Sequence, residues 1–198
     1  LENNDDLRGS RWAPLAHYLV AGDPEGRDPH PLFDLKDYRG RHAVKVAATG
    51  LTALQHYLHK GVTEGYDPHP LFDVRHYVGQ AEEVADSGEN PLVHYLREGW
   101  RKGYEPHPLF SGAWYLAMNP DVAEADVAPL LHYATSGASE MRSPHPLFEP
   151  GWYMDRYRDA APMGSSALAH FLAHGFEERR DPSIHFDTAF YLDQQAEM

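Results

Sequence analysis

Pro-His-Pro-Leu-Phe stands at residues 29–33, 68–72, 106–110 and 144–148, with a degenerate Pro-Ser-Ile-His-Phe at 182–186. A second motif, Leu-x-His-aromatic, places histidine at 17, 56, 94, 132 and 170, and glycine recurs at 22, 61, 99, 137 and 175. Each column advances by 39, 38, 38 and 38 residues. A fixed period of this length is the mark of a repeat architecture, in which no unit buries a face alone and neighbours must stack.

The spacing within a unit separates its rigid part from its loose part. From each of these histidines to the next motif phenylalanine is always 16 residues, whereas from Tyr38 to His56 is 18 and the three equivalent distances are 17. The one extra residue therefore falls between Tyr38 and His56. A loop absorbs an insertion cheaply and a packed segment does not.

Two short helices are expected per unit. The first opens after the phenylalanine, capped by Asp34, Asp73, Ser111, Glu149 or Asp187, and Pro150 suits a first helical position. Phenylalanine before the cap and tyrosine four after it (Phe33/Tyr38, Phe72/Tyr77, Phe110/Tyr115, Phe148/Tyr153, Phe186/Tyr191) form a hydrophobic staple. The second helix carries the histidine: Asn90 caps it, Pro91 follows, Leu92, Tyr95 and Leu96 share a face, and Gly99 is expected to stop it. Proline at 29, 68, 106, 144 and 182 then bends the chain towards the next unit.

The expected fold is all-α, a solenoid of about five 38-residue two-helix repeats forming one array over 1–198. Its units run 1–33, 34–72, 73–110, 111–148 and 149–186, with a partial unit at 187–198. The array starts on a lone histidine helix at 11–21 and finishes on a lone opening helix at 186–193. Tetratricopeptide repeats have a similar length, but their Trp, Gly and Ala columns are missing.

Composition narrows the partners. Seventeen basic against thirty acidic side chains give a net charge of −13, which repels nucleic acid and anionic membrane faces. With no cysteine, disulfides and thiolate-bound metals are excluded. No apolar run reaches the ~20 residues of a spanning helix. Leu1-Glu2-Asn3-Asn4-Asp5-Asp6 is unlike a signal peptide, and the chain reads as a piece of a longer protein. A cytoplasmic setting is expected, with an extracellular one as the alternative.

No Gly-x-Ser-x-Gly, Walker loop, Gly-x-Gly-x-x-Gly or His-Glu-x-x-His occurs, so the chain is not expected to be an enzyme, and no cofactor is implied. The elbow histidines His30, His69, His107 and His145 could be read as metal ligands. Successive members of the column would sit about one helix-packing step, roughly 10 Å, apart, too far to share an ion. The plainer reading makes each histidine a donor to a backbone carbonyl at the elbow, and no metal site is expected. Aromatics outside the staples vary between copies: Tyr66, Trp100, Tyr104 and Phe176 near the bend, and Trp114 and Trp152 on the opening helix. Such rings stack on sugars or anchor protein partners, or simply cover the elbow. Together with the four elbow histidines, these six form the candidate binding set.

The strings Asn-Pro-Leu-Val-His-Tyr-Leu-Arg-Glu-Gly at 90–99 and Trp-Tyr-Leu-Ala-Met-Asn-Pro-Asp-Val-Ala at 114–123 resemble a bacterial repeat. That repeat accompanies glycosyltransferase and rhamnan-synthesis-type domains in large surface-polysaccharide proteins. The Asp-Pro-Ser and Phe-Asp-Thr of 181–188 are similar to a variant in secreted hemolysin-type calcium-binding proteins. The resemblance implies a non-catalytic scaffold that docks an adjacent glycosyltransferase domain, another protein or glycan. The alternative is a self-associating structural array of a secreted protein.

Overall fold

A computed structural model describes residues 12–163 and 166–195. The expectations for Leu1–Asp6, for Arg11 and for 196–198 lie outside these residues. The described chain is mostly helical and contains no β-strand. It divides into two compact units, Leu1–His69 and Pro70–Met198, parted inside the second Pro-His-Pro bend.

The opening helices begin where their caps place them. Asp34, Asp73, Ser111 and Asp187 each accept the N–H three residues on, at 2.8, 2.9, 3.3 and 2.8 Å, while Glu149 makes no such bond. All five staples close, with ring centroids 5.2–5.6 Å apart. The histidine helices start at Pro14, Ala53, Pro91, Pro129 and Ala167. Thr52 makes a full capping box with Gln55, whereas Ala13 and Ala128 contribute no side-chain cap and rely on the proline that follows.

Three features depart from expectation. The loose connection is itself helical: Glu82–Ser87, Pro120–Glu124 and a 3₁₀ segment, Arg158–Met163, lie between the two expected helices. Around the inserted residue the opening helix runs on instead, over Leu35–Thr49, with a kink at His42. Next, each histidine helix passes into a π turn over Tyr18–Gly22, Tyr57–Gly61, Tyr95–Gly99, Tyr133–Gly137 and Phe171–Gly175. The N–H after the glycine bonds the aromatic carbonyl five residues back, at 3.0 Å from Asp23 to Tyr18 and 2.9 Å from Ala138 to Tyr133.

Lastly, the recurrent glycine is not the stop. The chain turns off four residues later, at Gly26, Gly65, Gly103, Met141 and Arg179, all in the left-handed region. There the next N–H bonds back to the glycine carbonyl, 2.8 Å from Tyr66 to Gly61 and 2.9 Å from Arg142 to Gly137, in a Schellman-type closure.

Successive bends are tied together. Within the first unit the Asp34 N–H donates to the Pro68 carbonyl at 3.0 Å. Within the second, Asp73, Ser111 and Glu149 donate to Pro106, Pro144 and Pro182 at 2.9, 3.0 and 3.1 Å.

Candidate functional site

The same cluster recurs at four places. Each staple receives a third ring from the following histidine helix: Tyr57 stands edge-on to Tyr38 at 5.9 Å, and Tyr95, Tyr133 and Phe171 take the same position over Tyr77, Tyr115 and Tyr153. The tyrosine hydroxyl hydrogen-bonds Nδ1 of the neighbouring histidine, at 2.9 Å for Tyr38–His56, 2.7 Å for Tyr77–His94, and 2.9 Å for Tyr115–His132 and Tyr153–His170. These staple tyrosines are fully buried.

The glycine column exists for that hydroxyl. A Cβ built on Gly61 or Gly175 would lie 2.6 Å from the tyrosine oxygen, and closer still on Gly99 and Gly137. Only glycine lets the phenol rest against the helix backbone there. Burial raises the pKa of all four tyrosines, to about 12 for Tyr115 and Tyr153, and lowers His56 and His170. Nε2 of His94 is buried without a hydrogen bond, 3.6 Å from a Glu98 oxygen and 3.7 Å from Glu83.

Over each cluster lies the residue that follows the left-handed turn. Tyr66 stacks on His42 at 4.0 Å and 13°, and its hydroxyl is bonded to Glu64 and Lys45. Tyr104 lies near-parallel to His94 at 6.1 Å, with its hydroxyl donating to Glu83 at 3.1 Å. Arginine takes the place in the next two copies. Arg142 donates to Asn119 at 3.0 Å and Asp121 at 2.9 Å; Arg180 donates to Asp159 at 3.0 Å and lies 4.9 Å over the Tyr157 ring.

Three of the four elbow histidines are structural acceptors, not the donors the plainer sequence reading makes them. Nδ1 of His30, His107 and His145 accepts the N–H two residues on, from Leu32, Leu109 and Leu147, at 3.0, 3.0 and 3.1 Å. A protonated ring cannot accept there, and burial holds all four histidines below their usual pKa, His69 and His107 at about 4. In the fifth bend Ser183 Oγ takes the same role, accepting from His185 N–H at 3.3 Å.

The remaining candidates scatter. Trp100 carries Arg101 at 4.2 Å over its ring, Trp152 meets Tyr157 edge-on at 6.2 Å, and Trp114 has a buried indole nitrogen without a hydrogen bond. Phe176 is exposed beside an apolar cavity of about 240 Å³ lined also by Leu147, Phe148, Phe171, Phe186 and Tyr191. Of the ten candidates, His30, Tyr66 and His69 belong to the first unit and the other seven to the second. Sequence reasoning missed the cavity and the tyrosine–histidine bonds; the parallel tyrosine, histidine and glycine columns were the signal for the latter.

Among the described residues no three His, Asp or Glu side chains are placed to hold a metal ion, and no helix is long and apolar enough to cross a membrane. Comparison with protein-family models, curated proteins and solved structures finds no match to this chain.

Proposed function

We propose that this chain is a solenoid of about five helical repeats. It serves as a non-catalytic scaffold in a bacterial surface-polysaccharide biosynthesis protein, docking a partner domain or glycan. The observation that carries this is the contrast between a constant cluster and its changing cover. The phenylalanine, tyrosine, histidine and glycine hold the same geometry four times, whereas the covering residue is Tyr66, Tyr104, Arg142 or Arg180. A residue needed only for packing would follow the repeat; cover that changes from ring to guanidinium is suited to reading a ligand. The aromatic rings fit sugar faces and the arginines fit acidic groups. The remaining polysaccharide link rests on the sequence resemblance.

Calorimetric titration with rhamnose-containing oligosaccharides and with a rhamnan-type glycosyltransferase domain tests this. Saturable binding to either, weakened at least about tenfold by Tyr104→Ala with the fold intact, supports the reading. Binding to neither overturns it.

A further inference from the structure

We propose that His170 and His174 form a two-histidine chelate for a divalent transition-metal ion. Both lie in the Pro70–Met198 unit, and the proposal stands apart from the docking function. Four residues beyond the column histidine the five copies carry Ala21, Lys60, Glu98, Ser136 and His174. The repeat therefore does not call for histidine at this step, and the fifth copy alone has one. Residues four apart are neighbours on a helix surface. The two rings lie with centroids 5.4 Å and planes 56° apart. Imidazoles that hold one ion through a nitrogen at ~2.1 Å, at a near-tetrahedral angle, have centroids roughly 5 Å apart. The pair is thus already spaced as a chelate, which the elbow column is not.

His170 is held ready as a ligand. Its Nδ1 is engaged by the Tyr153 hydroxyl at 2.9 Å, the kind of outer hydrogen bond that orients a metal-bound imidazole. Among the described residues Nε2 has no hydrogen-bond partner. The sealed ring nitrogens without a bond are those of His42 and His94; Nε2 of His170 is not one of them, so this atom of an otherwise buried ring meets solvent. Burial, followed by the Arg180 guanidinium, lowers the His170 pKa, which keeps the ring neutral and its lone pair available at pH 7. His174 is exposed, as is Lys60 at the same step of the second copy, so this step faces solvent in both.

The charges beside the pair also suit a cation. Arg180 is ion-paired with both Asp159 and Glu178, each at 2.5 Å, and one guanidinium against two carboxylates leaves one negative charge. Among the described residues no third histidine or carboxylate is placed with the two rings, so water completes the coordination. An imidazole-rich site of this kind fits copper, nickel or zinc, whereas calcium and magnesium call for oxygen ligands.

Calorimetric titration of the full 198-residue chain with copper(II), nickel(II) and zinc chloride tests this, and with no cysteine present no thiolate competes. The first equivalent of copper should bind more tightly than nickel or zinc. Electron paramagnetic resonance of that first equivalent should show two imidazole nitrogens on the ion. His174→Ala, at an exposed position, should weaken copper binding at least about tenfold with the helical circular dichroism unchanged. His59→Ala, which removes another exposed histidine, should leave the affinity as it was. Equal copper affinity in the wild type and His174→Ala, a signal from a single imidazole nitrogen, or an equal loss in His59→Ala overturns the proposal.

Discussion

The Phe148–Tyr153 and Phe186–Tyr191 pairs have the same residues at the same spacing, with rings 5.6 and 5.4 Å apart. The first is sealed by Phe171 and His170, and Tyr153 is fully buried; the second is half open to solvent. The staple is thus a local product of helix entry that forms without the third ring. The seal comes from a second helix, and the close-packed energy belongs to the seal.

Truncating the sealed ring separates the two most. Phe110→Ala should cost about 3–5 kcal/mol, as expected for a large cavity in a packed core, while Phe186→Ala should cost about 1 kcal/mol or less. Equal losses in urea unfolding would show that the seal adds nothing.

Next in size is the response to acid. The unfolded chain protonates its histidines below about pH 6.5, the folded His107 elbow only near 4. More protons bind to the unfolded state between those limits, so stability present above pH 6.5 is lost as pH falls towards 4, by about 1–3 kcal/mol for this histidine. Ser183 shows that the fold accepts a hydroxyl there, so His107→Ser should flatten this part of the stability profile. An unchanged slope would place the acid sensitivity elsewhere.

Gly99→Ala should cost about 1–3 kcal/mol through the displaced Tyr77 phenol, more than Gly22→Ala, whose Cβ would meet the Tyr18 ring at 3.3 Å. Tyr115→Phe, which removes the hydroxyl but keeps the ring, should cost about 1–2 kcal/mol and leave His132 Nδ1 unpaired. If that loss is absent, the bond orients the histidine without stabilising the chain.

Caps, staples and bends were legible in the sequence because each is decided within a few residues. The Asp34 carboxylate caps its own helix turn, and Phe110 precedes Tyr115 by a fixed step. The glycine column was misread for the opposite reason. Gly99 looks like a local stop, but the atom that demands it is the Tyr77 hydroxyl, 22 residues upstream. The real turn was hidden because Met141 and Arg179 hold a conformation that glycine holds in the first three copies. The π turns carry no local propensity signature, and the helical filling of the loose connection needed the fold to be seen.

The tyrosine–histidine bonds span only 17 or 18 residues of sequence. Each can close through a small loop, so the search that slows folding of distant pairings is short here. Opening can be equally parochial: one cluster can come apart and re-form while those farther along the chain keep their amides protected from exchange.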